Sequence, residues 1–246
     1  MKHFFITLTF LLCVTISHAG DFAEFRSIGF SESGQYYSFA QIGIHDGSGF
    51  PYAELWVIDV LKNEQVATSS IELNDENDEA VGTVEQALKK AIEAAKLERF
   101  SIKSNENPGS DLLIHLPTDH STFTDNVFSL EPGIDGGASG IAAKYKVILD
   151  TTETKPALKD IPTDFGPAKM LKLSIAGIEE ASGTVQILQE DKRLPKSRAY
   201  PLEYSVRQVT TFKDGLVVII SYTTPGFEGP DVRYMAISGK FTPAQK

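Results

Sequence analysis

Short apolar runs, separated by glycine, proline and polar turns, occupy most of the 246-residue chain. The runs have the length of strands and are rich in β-branched and aromatic residues, which is typical of β-sheet proteins. The predicted strands are residues 22–30, 35–45, 52–60, 65–73, 112–116, 126–130, 141–149, 169–178, 184–190, 202–213, 216–224 and 232–237. The run at 52–60 is apolar on both faces, so we expect it in the middle of a sheet.

Two regions of the chain have a clear layout of strands. Short turns join the first four runs, which predicts an antiparallel meander. Near the C-terminus, Asp214-Gly215 separates two apolar runs, and this dipeptide is the strongest short hairpin signal. Gly-Phe loops at 49–50 and 226–227 make the two regions either a two-copy repeat or two uses of common hairpins. The proline-containing stretch 150–167 is expected to be a crossing loop.

One segment has helical rather than strand periodicity. Thr83 and Gln86 form a capping box, which begins a helix by satisfying its free backbone amides. Apolar residues then recur at helical spacing, at positions 84, 87, 88, 91, 92 and 95. We therefore expect a mostly β protein, an antiparallel sandwich or a set of blade-like meanders, with one amphipathic surface helix near residues 83–99.

The first nineteen residues have the pattern of an export signal. A basic start at Lys2 precedes an apolar run, and small residues in Ser17-His18-Ala19 precede a cut before Gly20. We expect residues 1–19 to be a signal peptide and residues 20–246 to be a single periplasmic or secreted β-rich domain. The only cysteine, Cys13, lies inside the signal, so the mature chain would have no disulfide and no thiolate.

The charge of the chain restricts the classes of partner that we expect. A formal net charge of −10, with no cluster of lysine and arginine, disfavours nucleic acid, whose binding depends on basic surfaces. After the signal, no apolar run has the length of about 20 residues that crosses a bilayer, so we expect no membrane span. The oligomeric state is left open by the sequence.

Motifs for catalysis or for cofactor binding are weak. His115 and His120 lie near Asp119, but Pro117 breaks any helical spacing, and zinc needs three or four ligands. The acidic stretch 74–79 lacks the glycine and the closing glutamate of a calcium loop. The sequence also has no nucleophile elbow and no phosphate-binding glycine loop. We expect no metal and no cofactor, and catalytic residues stay unassigned.

Six charged residues in two segments form the remaining candidate site. They follow one predicted strand and surround the start of the last one: Asp191, Arg193, Arg198, Glu228, Asp231 and Arg233. If the two segments meet, their guanidinium and carboxylate groups would form bidentate pairs. Such pairs would either fasten the C-terminal loop or line a polar cleft for a sugar or a peptide. The sequence leaves both alternatives open.

Two resemblances to known families add to these patterns. Residues 29–40 and 54–59 resemble one blade of the propeller found in periplasmic translocation protein B and in prolyl peptidases. A wider resemblance, at residues 22–31, 190–198 and 225–234, is to a bacterial family of predicted secreted proteins of unknown function. This second resemblance implies export in a Gram-negative bacterium, and it assigns no activity, cofactor or catalytic residue.

These patterns favour a non-enzymatic periplasmic or secreted binding module, whose partner is an envelope protein or a small polar ligand. The alternative is a cell-envelope hydrolase that uses the carboxylates of the charged segments on a sugar or a peptide. A cleft with two carboxylates about 5–10 Å apart would favour the hydrolase. The binding hypothesis predicts an open strand edge or an apolar patch, which we place around Phe50, Pro51 and Phe227.

Overall fold

The computed structural model describes residues 20–115, 127–130, 145–158, 164–177, 185–226 and 229–241, with the backbone alone for 127–130. The predicted signal peptide, His120, Phe227 and Glu228 lie outside the described residues. The elements are β1 (Glu24–Phe30), β2 (Tyr36–Ile44), β3 (Pro51–Asp59), β4 (Glu64–Glu72), α1 (Val84–Ala95), β5 (Ser110–Ile114), β6 (Val127–Leu130), β7 (Tyr145–Thr154), β8 (Ala168–Gly177), β9 (Val185–Glu190), β10 (Glu203–Phe212), β11 (Gly215–Pro225) and β12 (Pro230–Lys240). Single 3-10 turns occur at Leu97–Phe100 and Lys196–Arg198.

The strands form three antiparallel sheets of four strands each. Sheet 1 has the order β1-β2-β3-β4, sheet 2 the order β12-β11-β10-β5, and sheet 3 the order β6-β7-β8-β9. The predictions of a mostly β protein with one helix and of an N-terminal meander are confirmed. The C-terminal hairpin is confirmed with a shift of one residue, because Phe212 pairs with Gly215 and the turn is Lys213-Asp214.

The predicted crossing loop at 150–167 is wrong over its first residues. Strand β7 continues to Thr154 and stays paired with β8, from Tyr145 opposite Gly177 to Thr154 opposite Ala168. Threonines at 151, 152 and 154 suit a strand because their side chains are β-branched. The prolines that indicated a loop begin only after this strand, so they mark where it ends and not where it begins.

Sheet 2 lies in the middle of the molecule and packs on both faces. Along β11, Val217 and Ile219 contact the core of sheet 1, whereas Leu216, Val218 and Ile220 contact sheet 3. Successive residues of a strand point to opposite faces, so this division places the three sheets in successive layers. The N-terminal and C-terminal meanders, whose relation the sequence left open, therefore pack face to face.

Helix α1 covers the outer face of sheet 1. Ala87, Ala91 and Ala95 are buried against a cluster that includes Leu55 and Val57 of β3. The alternate residues of β3, which include Trp56, point to sheet 2 instead. Strand β3 is thus covered on both sides, which explains its two apolar faces and confirms its predicted central place.

Thr83→Ala is expected to lower the free energy of unfolding by about 1 kcal/mol. The Thr83 hydroxyl accepts a hydrogen bond from the Gln86 amide at 3.3 Å, and the Gln86 side chain accepts one from the Thr83 amide at 2.9 Å. Substitution removes the first of these acceptors from the helix N-terminus. A urea melt followed by circular dichroism would measure the loss. Lys90→Ala, at an exposed position of the same helix, should leave stability unchanged, and an equal loss in both variants would contradict the role of the cap.

Candidate functional site

The edge strand β12 lies at the bottom of a cleft between sheets 1 and 3. On one side the cleft is lined by β3 and the residues after it, and on the other by Gln189 and the segment that follows β9. The space has a volume of about 310 Å³. We call it the edge cleft, and its bottom consists of Tyr234, Met235 and Ala236 of β12. It is thus placed where all three layers of the fold meet.

One wall of the edge cleft is aromatic. Trp56, the only tryptophan of the chain, stacks on Phe39 with a centroid distance of 5.1 Å. The ring centroid of Phe25 lies 6.1 Å from that of Phe39 and 5.6 Å from that of Tyr234, so the ring contacts continue from sheet 1 to sheet 2. A row of packed rings offers apolar contact area at little cost in side-chain entropy. This wall is therefore preformed for a ligand with an apolar face.

Three side-chain amides, those of Asn63, Gln65 and Gln189, also line the edge cleft. The Asn63 side chain donates to the Gln189 side chain at 3.0 Å and accepts from the Ser238 amide at 2.9 Å. This bridge joins sheet 1 to sheet 3 across β12 and closes one end of the cleft. Gln65 is exposed in the lining and keeps an amide that can donate and accept.

The first predicted charged segment forms a buried ion pair beside the cleft. Asp191 accepts from Arg198 at 2.6 Å, and the two side chains are 4% and 5% exposed. The carboxylate also accepts from the Leu171 amide at 2.9 Å and from Gln189 at 3.1 Å, so both of its oxygens are occupied. Arg198 donates further to the Tyr204 hydroxyl at 2.7 Å. Burial raises the pKa of Tyr204, against the opposing charge of Arg198.

The second predicted segment holds the N-terminal end of the described chain. Arg233 donates to Asp21 at 2.8 Å and to Asp231 at 3.4 Å, while the Asp21 amide donates to Asp231 at 2.9 Å. Tyr52 donates to Asp21 at 3.0 Å, and His45 lies 3.1 Å from the same carboxylate. Burial raises the pKa of Asp231, although the Asp21 amide and Arg233 favour its charged form. Asp21 is a member of this network that the sequence did not indicate.

No hydrogen bond or ion pair joins the two segments among the residues that the structure describes. Tyr222 lines the edge cleft; burial raises its pKa, and the nearby charges of Arg233 and Arg198 oppose the rise. Arg193 is exposed to solvent, and Glu228 lies outside the described part of the chain. Of the predicted site residues with described side chains, Arg198 is the one that lines the edge cleft.

The location predicted for an open edge or apolar patch is described only in part, because Phe227 lies outside the described residues. Pro51 is buried and pairs with Ile44 inside sheet 1, and Phe50 is half-buried. A partly open edge lies on β12, and the sequence signal that could have indicated the cleft is the lone Trp56 on a strand with two apolar faces. Within the described lining of the edge cleft there is no aspartate or glutamate.

Comparisons with known proteins give a family and no further match. Among described residues, no helix is long and apolar enough to cross a membrane, and no group of three or more metal-ligating side chains occurs. No curated protein and no solved structure matches the chain. A family model described as "Predicted secreted protein (DUF2259)" matches residues 38–240, which include most of β2 and every later element. The chain therefore belongs to this family of predicted secreted proteins, in agreement with the periplasmic or secreted location expected from the predicted signal peptide.

Proposed function

We propose that this protein is a non-enzymatic binding module and that the edge cleft holds its ligand. The signal at 1–19 would export it, and residues 20–246 would form the binding domain. One feature supports this most strongly: a preformed cleft, with an aromatic wall and amide groups, lies over a strand edge. Binding sites are typically concave, largely apolar and equipped with a few placed polar groups. Native proteins usually cover or blunt strand edges, so an accessible edge in a cleft suits recognition.

The lining chemistry suits two classes of ligand, an oligosaccharide and a polypeptide segment of an envelope protein. Trp56 and Tyr234 offer flat apolar area, which packs on a sugar ring as well as on an apolar side chain. Gln65 offers both a donor and an acceptor, which either ligand can use. Both classes agree with a periplasmic or secreted protein.

The hydrolase alternative has less support from the described residues. Glycoside hydrolysis uses two carboxyl groups about 5–10 Å apart, on either side of the bond that breaks. The described lining of the edge cleft supplies no carboxylate. Asp191 and Asp231, which the hydrolase would use, are each engaged by an arginine.

Trp56 gives a direct test, because it is the only tryptophan and lines the edge cleft. The mature chain would be titrated with a set of oligosaccharides and with a panel of short peptides while tryptophan emission is recorded. We expect a saturable change with at least one of the two classes. Gln65→Ala should weaken that binding about fivefold, the effect of about 1 kcal/mol for a lost hydrogen bond.

Gln208→Ala is the matched control, because Gln208 lies on β10, away from the β12 edge of sheet 2. This variant should bind like the unchanged protein. Suppose that a ligand binds but leaves Trp56 emission unchanged, and that Gln65→Ala binds it as tightly as the unchanged protein does. The edge cleft is then not the site. If neither class binds at all, the proposed function is wrong.

A further inference from the structure

The main-chain groups along the outer side of β12 show what the edge cleft can recognise. Val232 donates its amide to the Asp21 carbonyl at 3.0 Å and accepts from the Ala23 amide at 3.2 Å, so both of its groups point outward. The main-chain groups of alternate residues in an edge strand point the same way, so those of Tyr234 and Ala236 also point outward. Strand β12 therefore presents a row of donors and acceptors with the spacing of a β-ladder.

Most of these main-chain groups already have a hydrogen-bond partner. A short stretch at Tyr234 and Ala236, which we call the open window, keeps groups without a described partner. The Tyr234 amide donates to the Gln41 side chain, and the Ser238 amide donates to Asn63, each at 2.9 Å. No described residue accepts from the Ala236 amide, and none donates to the Tyr234 or Ala236 carbonyls. These open groups lie at the bottom of the edge cleft, between the paired Val232 and the bridge at Asn63.

The chain itself shows that this edge accepts an added strand. Its segment Asp21–Ala23 runs along the edge and makes a parallel bridge, Phe22 to Val232. From Val232 to Ser238 the edge extends roughly 20 Å, at about 3.3 Å per residue. The part beyond the N-terminal segment leaves room for an extended stretch of about three or four residues.

Two exposed cations lie beside the rim of the edge cleft. The segment after β9 supplies Pro195 and Ser197 to the lining, and its neighbours Arg193 and Lys196 are exposed beside them. Neither of these two cations makes an ion pair with a described residue, and the chain as a whole has a net charge of −10. These two cations make one side of the rim basic, and this side would attract an acidic segment over the cleft.

We propose that the edge cleft binds an extended acidic segment of a partner protein, which adds as a strand to the open window of β12. This inference rests on the proposed function and names its ligand class. Main-chain hydrogen bonds to Tyr234 and Ala236 supply the pairing, and the aromatic wall receives alternate apolar side chains. Arg193 and Lys196 contact the acidic side chains.

The test uses a panel of hexapeptides in which aspartate or glutamate alternates with different apolar residues. Trp56 emission of the mature chain is the readout. At least one peptide should bind, and methylation of its alternate backbone amides should weaken binding at least tenfold, because methylated amides cannot pair with an edge. A lysine-containing version of the same peptide should bind at least tenfold more weakly.

Two variants test the protein side of the pairing. Ala236→Pro removes the outward amide, and proline is tolerated at outward positions of edge strands. It should weaken binding about tenfold, with circular dichroism and a urea melt to verify its fold. Arg193→Glu should weaken binding of the acidic peptide, whereas Lys90→Glu, on the helix that covers the other face of sheet 1, should not.

Several results would overturn this inference. If methylated and unmodified peptides bind equally, the edge does not pair with the ligand. If an oligosaccharide changes Trp56 emission and no peptide does, the proposed function stands and the acidic strand is wrong. If the protein forms dimers that Ala236→Pro dissociates, the occupant of the edge is a second copy. If neither sugars nor peptides bind, both proposals fall.

Discussion

Asp191→Ala is expected to lower the free energy of unfolding by about 3–5 kcal/mol, because it leaves the buried Arg198 without its counter-charge. The two side chains are almost fully buried and lie 2.6 Å apart. The variant also removes the acceptor of the Leu171 amide on β8. Urea denaturation at neutral pH, followed by circular dichroism, would measure the change.

The neighbouring Glu190→Ala is the control for Asp191→Ala. Glu190 also pairs with a cation, Lys192 at 2.8 Å, but their side chains are 39% and 80% exposed. Exposed ion pairs contribute little to stability, so this variant should leave the urea midpoint unchanged. Equal midpoints for the two variants would mean that the Asp191 pair does not fasten the segment after β9.

Phe30→Ala is expected to cost about 3–5 kcal/mol, the usual range for a large aromatic side chain truncated in a core. Phe30 is fully buried at the end of β1. Its ring lies 4.6 Å from Tyr37 of sheet 1 and 5.3 Å from Phe212 of sheet 2, so it joins two layers. Thermal and urea melts of the mature chain would give the loss.

Phe165→Ala is the matched control for Phe30→Ala. Phe165 is 50% exposed, and among the described residues its ring contact is a distant one, 6.4 Å from the ring centroid of Tyr200. We expect a loss of about 1 kcal/mol or less for this variant. If both variants lose stability equally, the burial of Phe30 between sheets 1 and 2 does not stabilise the fold as its contacts indicate.

The candidate site was only partly predictable from the sequence. Sequence reasoning placed arginine–carboxylate pairs between the two charged segments, in the case that these meet, whereas the pairs Asp191 with Arg198 and Asp231 with Arg233 lie within each segment. That Asp21 joins the second pair could not be inferred, because it is about 210 residues away and its place depends on the edge of sheet 2. The sequence left open whether the two segments fasten the C-terminal loop or line a polar cleft; of their described side chains, Arg198 is the one in the lining of the edge cleft.

The sequence by itself determined the local structure of this protein. Short apolar runs between turn residues placed the strands of all three sheets, and the capping box at Thr83 began the helix where the structure has it. These signals are readable because they depend on neighbours within a few residues. The apolar residues on both faces of β3 also predicted its place in the middle of a sheet.

Only the tertiary structure decided how the sheets stack and where an edge stays open. The order of the layers depends on contacts between strands that are distant in the chain, such as Phe30 with Phe212. Strand β12 is an edge because no further described strand pairs with its outer side, a property of the whole sheet and not of its own residues. The edge cleft exists because side chains from three layers converge there, and a linear pattern carries no information on that convergence.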